Sequence, residues 1–152
     1  MSENELPPRF VDAVARAQRV VSRSVQEVLE REEGISLDQW RTMRALSVSG
    51  RTMGELVDHL QIPPASVTRL VDGLVDNALV FRHVTPTDRR RIEVVLSDAG
   101  VVLLRRLEEL VRVHEKRLHA LTNLPIAQLA HDLATVAQLE PDEVSHDPVR
   151  RP

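Results

Sequence analysis

The chain is predicted to be mainly α-helical with one small β-hairpin, on three observations. Up to Asn77 apolar residues recur every three or four positions, the period of helices buried on one side. After Asn77 the period falls to two over a pair of short runs joined by a turn-forming loop. Beyond Ser97 the helical period returns and persists to about residue 140. Within residues 52–96 a short helix, a tight turn, a second helix and a basic hairpin follow one another. That is the layout of a winged helix-turn-helix.

Residues 1–7 are polar and expected to fray. The first helix is expected over about 8–32, with Phe10, Val14, Ala17, Val21, Val25 and Val28 as one long buried stripe and Gly34 as its stop. Ser36-Leu-Asp-Gln39 has the form of a capping box, and Ile35 is placed to staple onto Trp40. The second helix therefore covers about 37–48 and buries Leu37, Trp40, Met43 and Leu46. Thr52-Met-Gly-Glu55 is a second capping box, opening a helix with Met53, Leu56, Val57 and Leu60 inward. Gln61-Ile-Pro63 is the turn, and the fourth helix, 64–77, buries Val67, Leu70, Val71, Leu74 and Val75.

In the hairpin, Val80, Arg82 and Val84 alternate with Phe81 and His83, and Ile92, Val94 and Leu96 alternate with Arg91, Glu93 and Val95. Thr85-Pro-Thr-Asp88 joins the two strands. Ser97 caps a fifth helix over about 98–121, carrying Val101, Leu104, Leu107, Val111 and Leu118. Thr122 or Asn123 caps a last helix, with Pro125 in its first turn and Ile126, Leu129, Leu133 and Val136 as its stripe. The three prolines from Pro141 onward suggest a disordered tail over 141–152. The expected organisation is one domain, 8–140, in which helices 8–32 and 98–140 flank a module at 36–97. Their apolar stripes exceed what that module can cover, so a second copy of the chain is expected to bury them as a two-fold homodimer.

Composition narrows the function. At 152 residues and 42% hydrophobic the chain can bury a sizeable core, built from aliphatic side chains because only Phe10, Phe81 and Trp40 are aromatic. With no cysteine there is no disulfide, thiolate metal site or thiol redox switch, which fits a cytoplasmic protein. No apolar run is long enough to span a bilayer, the start MSENELPPRF lacks the regions of a signal peptide, and no membrane partner is expected. Net charge is −3, but between 64 and 92 five arginines face three aspartates, and phosphate contact needs only a local basic surface. An enzyme is not expected: there is no glycine-rich phosphate loop, nucleophile with a partnered base, or carboxylate cluster. His114, Glu115 and His119 lie within two turns, but nothing else converges on them. Neither a metal nor another cofactor is expected.

The exposed side of the fourth helix begins with Ala65, Ser66, Thr68 and Arg69, all small or able to donate hydrogen bonds, so it suits a major groove. Ser66, Thr68 and Arg69 are the candidate DNA contacts there. The plainer alternative is a polar helix start with Arg69 paired to Asp72 or Asp76. Arg82 fits either a phosphate anchor or an ion pair on the strand face. Arg89, Arg90 and Arg91 crowd the hairpin tip, although Arg91 equally fits a pair with Glu93. Trp40 reads as a core staple rather than a ligand platform.

These motifs resemble the multiple antibiotic resistance regulator (MarR) family of transcription factors. The matching residues are Ser36-Leu-Asp-Gln-Trp-Arg-Thr-Met-Arg-Ala-Leu46, Glu55-Leu56, Leu60, Ser66-Val-Thr-Arg-Leu-Val71, Leu79-Val80, Arg82, Asp88-Arg-Arg90, and Leu96-Ser97 through Gly100. The resemblance spans about 8–140. It implies a homodimer held by its terminal helices and bound to double-stranded DNA at an inverted repeat. The fourth helix would lie in the major groove and the wing in the minor groove, where Asp88 orients Arg90 beside Arg89. It also implies a repressor released by a small phenolic or anionic effector, whose binding residues the sequence does not name. One departure stands out: Pro63 and Pro64 occupy the start of the fourth helix, removing two N–H groups and a side-chain cap. That leaves Ala65 only a methyl contact and shifts affinity toward phosphates and the wing. The competing expectation is a protein-interaction or ligand-binding module of the same fold with weak or lost DNA binding.

Overall fold

The computed structural model describes Pro7, residues 9–84 and residues 91–140. The expected tails lie outside these apart from Pro7, and so does the expected loop at 85–88. The elements are α1 (Phe10–Glu33), α2 (Leu37–Ala45), α3 (Met53–Leu60), α4 (Pro64–Asp76), β1 (Val80–Val84), β2 (Ile92–Leu96), α5 (Asp98–Thr122) and α6 (Ile126–Val136). The fold is mainly α with a two-stranded antiparallel hairpin, a winged helix.

Local chemistry sets most helix ends. Gly34 closes α1 at φ 67°, and its N–H donates to the Glu30 carbonyl at 3.0 Å. Glycine takes that left-handed conformation without a Cβ clash. Both capping boxes form. Ser36 Oγ accepts from the Gln39 N–H at 3.1 Å while Gln39 Oε1 accepts from the Ser36 N–H at 2.9 Å. Thr52 and Glu55 repeat the exchange at 3.2 and 2.8 Å. Each box satisfies two N–H groups that the helix itself cannot.

Three local expectations need correction. First, α2 stops at Ala45 instead of running to Val48, which is 91% exposed. The Ala45 carbonyl is taken by Arg51 Nε at 2.7 Å, so the chain leaves the helix there. Arg51 then joins the sheet: its N–H donates to the Val94 carbonyl at 3.1 Å and its carbonyl accepts from Val94 N–H at 2.7 Å. Second, Pro125 rather than Thr122 or Asn123 stands at the N-cap of α6, with no side-chain cap. Thr122 Oγ1 turns back to the Leu118 carbonyl at 2.7 Å, serving the end of α5 instead. Third, the α1 stripe is not buried along its length within one chain. Val25 and Leu29 are buried, whereas Phe10, Ala17 and Val21 are exposed.

The chain divides into two compact units, Met1–Val111 and Arg112–Pro152. In the first, Leu29, Met43, Leu56, Leu74 and Leu107 are fully buried, one from each of the first five helices. Removing such a side chain from water contributes about 1.5–3 kcal/mol each, so this set ties the helices together. Thr42, the one buried polar residue among those described, is satisfied by donating to the Asp38 carbonyl at 2.7 Å. The hairpin pairs Val80 with Leu96 and Val84 with Ile92. Val80 and Val94 turn into the core. Ser97 caps α5 as expected, its Oγ accepting from Gly100 N–H at 3.0 Å and donating to the Ala78 carbonyl at 2.7 Å. Gly100 is required by crowding, because a Cβ there would sit 2.0 Å from the Leu79 carbonyl oxygen. In the second unit no described residue is buried.

Candidate nucleic-acid interface

α4 divides cleanly into two sides. Val67, Val71 and Leu74 are buried, and Leu70 and Val75 are half-buried. Opposite them Ala65, Thr68, Arg69 and Asp72 form an exposed stripe at spacing i, i+3, i+4, i+7, with Ser66 exposed one turn before Arg69. Helical periodicity alone therefore presents three of the expected contacts together. Among the described residues Arg69 has no ion-pair partner, so the expected alternative pairing with Asp72 or Asp76 does not form. Thr68 Oγ1 donates to the Pro64 carbonyl at 3.0 Å and keeps only acceptor capacity for a ligand.

The paired prolines reshape the start of this helix. Pro63 is the N-cap and offers no side-chain bond. Ser66 and Val67 N–H groups both donate to the Pro63 carbonyl, at 2.9 and 3.2 Å. Pro64 has no N–H, so among the described residues Ala65 holds the one unpaired N–H of the first turn. A helix start normally offers several to a phosphate. This one offers proline rings, a methyl group and a single donor.

The hairpin is tied to the helices by ion pairs. Arg82 Nη2 meets Asp72 Oδ1 at 2.6 Å, linking β1 to α4. Both side chains are about half exposed, so water screens the pair and a phosphate can compete for the guanidinium. Arg91, just before β2, meets two carboxylates: Glu55 Oε1 at 2.8 Å through Nη2 and Glu93 Oε1 at 2.7 Å through Nε. The Thr52 N–H, and after it Arg91, hold the Glu55 carboxyl below its ordinary range. Glu93 first and Glu55 second push Arg91 further up. Asp88, Arg89 and Arg90 lie outside the described residues.

Sequence reasoning missed two features of this region. Arg51 is a single extended residue, too short for an alternating pattern, and its pairing with Val94 comes from 43 positions away in the chain. Glu108 satisfies the indole of Trp40, accepting from Nε1 at 2.9 Å, while Arg44 stacks 5.4 Å from the ring centroid and reaches Glu108 at 3.5 Å. A buried tryptophan calls for an acceptor, but no sequence signal says that it comes from α5. Trp40 is thus a core residue, as expected, with its polar edge occupied.

A buried core drawn from the first five helices, an outward polar stripe on α4 and a hairpin beside it define a winged helix-turn-helix protein. Residues 33–91 match the family model described as the MarR family. The transcriptional repressor MdtR of Bacillus subtilis is 29% identical over 125 residues, covering 77% of this chain and 79% of that protein. Among solved structures, the transcriptional repressor CouR bound to a 23-mer DNA duplex is 27% identical, with a TM-score of 0.75 over 89% of this chain and 100% of that one. A mutant MarR from E. coli is 25% identical, with a TM-score of 0.71 over 88% and 99%. Over residues 33–91 in sequence, and over most of its length in fold, the chain is similar to MarR-family transcriptional regulators. No helix among the described residues is long and apolar enough to cross a membrane.

Proposed function

We propose that this protein is a cytoplasmic homodimer that binds double-stranded DNA at an inverted repeat and represses transcription until a small phenolic or anionic effector releases it. The observation that carries the DNA-binding part is the α4 stripe: Arg69, exposed and without an ion-pair partner among the described residues, stands beside Ser66 and Thr68 on the side away from the core. The DNA-bound state of CouR and the role of MdtR as a transcriptional repressor support it. Asp88, Arg89 and Arg90 add minor-groove contacts and Arg82 a phosphate contact. The dimer part is supported by exposed apolar residues on both flanking segments, among them Phe10 at 66% and Leu121 at 75%. In this reading 8–32 and 98–140 are the dimerisation arms. The effector part rests on family resemblance.

The test is selection from a random duplex library, followed by affinity across a salt series. Expected is an enriched palindrome with half-sites about one helical turn apart and an affinity that falls steeply with salt. Arg90→Ala should cost roughly 1–3 kcal/mol at the enriched site; an unchanged dissociation constant removes Arg90 from the interface. Thermal-shift screening of phenolic acids, with release from the duplex as readout, tests the effector. The proline-capped start of α4 favours a second reading, an interaction module with little DNA affinity. A selection that enriches nothing would favour that reading over the first.

A further inference from the structure

We propose that Arg91 is a positioning residue for the wing, clamped between Glu55 and Glu93, and does not itself contact DNA. The inference rests on the DNA-binding reading above and assigns a role within it.

The geometry of the carboxylates carries the argument. Glu55 is held at both oxygens: Oε2 accepts from the Thr52 N–H at 2.8 Å and Oε1 accepts from Arg91 at 2.8 Å. The capping box therefore fixes the partner before Arg91 arrives. Glu93 takes the Nε side of the same guanidinium at 2.7 Å, using the planar fork in two directions. Two carboxylates on one guanidinium leave the group net negative, so Arg91 has little charge to lend a phosphate. It can fix a position instead.

That position matters for the chain on either side. Arg91 directly follows Arg90 and directly precedes β2, so anchoring it to α3 sets where the strand returns from the loop. Three residues on, Val94 is bonded on both sides to Arg51. On the outgoing strand Arg82 is tied to Asp72 on α4. The hairpin is thus referenced to both helices of the helix-turn-helix, through α4 on the way out and α3 on the way back.

A clamp and a direct contact make opposite predictions. Glu55→Gln removes a negative charge near the candidate interface, which by long-range electrostatics should tighten DNA binding. A clamp predicts weaker binding. The substitution preserves the helix cap, because glutamine serves at that position in α2, where Gln39 completes the box with Ser36.

The experiment uses the full chain and its enriched duplex. Affinity is measured across a salt series for wild type, Glu55→Gln, Arg91→Gln and the double variant, with amide hydrogen exchange of residues 91–96 in the free protein. Expected is a loss of about threefold to tenfold for each single variant, no further loss in the double variant, and an unchanged salt slope. Faster exchange at Val94 should accompany both single substitutions. Unchanged or tighter binding by Glu55→Gln would overturn the clamp. So would a salt slope reduced by about one counterion in Arg91→Gln, which places Arg91 on a phosphate. If wild type binds no duplex, the functional reading fails by itself, and exchange at Val94 decides the clamp: faster in both variants supports it, unchanged overturns it.

Discussion

The inner and outer halves of α1 carry the same helical stripe into different surroundings. Val25 and Leu29, near the C-terminal end, are buried at 6% and 0% exposure. Phe10, Val20 and Val21, about one to four turns before Val25, remain exposed. α6 repeats the outer pattern, with Leu129 and Val136 exposed on an amphipathic helix that has no buried residue. Periodicity says that a face is apolar and where it lies. It does not say whether the chain's own core or another molecule covers it.

Substitutions can sharpen that contrast. Leu29→Ala should cost about 2–5 kcal/mol of unfolding free energy in urea titration, the size expected for a fully buried leucine; a loss below about 1 kcal/mol would mean that the site collapses around the cavity. If the proposed homodimer forms through these faces, Phe10→Ser with Val21→Ser should leave helix content unchanged but move the protein from dimer to monomer in sedimentation velocity at micromolar concentration. A variant that stays dimeric would take the outer half of α1 out of the interface. Each apolar group withdrawn from the proposed interface should cost it less than about 1.5–3 kcal/mol, the value for full burial, because both are already partly covered within one chain.

Smaller effects probe the local devices between these halves. Ser36→Ala removes one side of a capping box and should cost about 1 kcal/mol of stability, with α2 losing amide protection first. An unchanged melting curve would show that core burial of Leu37 and Trp40 holds the helix start without its cap. The least effect concerns acid. The folded-state pKa of Glu55 is depressed, chiefly by the Thr52 N–H and next by Arg91. Its contribution to stability is therefore present above the ordinary carboxylate range and lost as pH falls through the lowered value. Wild type should lose a small increment over that window that Glu55→Gln does not. Parallel stability–pH curves would remove Glu55 from the account.

What could be read from residue order has a common character: the interactions are local. Gly34, the Ser36 and Thr52 capping boxes, the Ser97 cap and the apolar stripe of α4 all act within a turn or two, so short motifs encode them. The missed or corrected features join distant segments. Arg51 reaches Val94, Trp40 reaches Glu108, and α2 ends early because Arg51 claims the carbonyl of Ala45. For the candidate interface, the sequence placed Ser66, Thr68 and Arg69 on one exposed side of a helix. It left open the partners of Arg82 and Arg91, because an arginine's long side chain has several carboxylates within reach.

By itself, then, the sequence determined the order of elements, most helix ends and the face that each helix presents, since backbone capping and side-chain periodicity depend on near neighbours. The tertiary structure decided how far each apolar stripe was covered and which carboxylate each guanidinium met. Those outcomes depend on how segments far apart in the chain come together, and no local pattern records that.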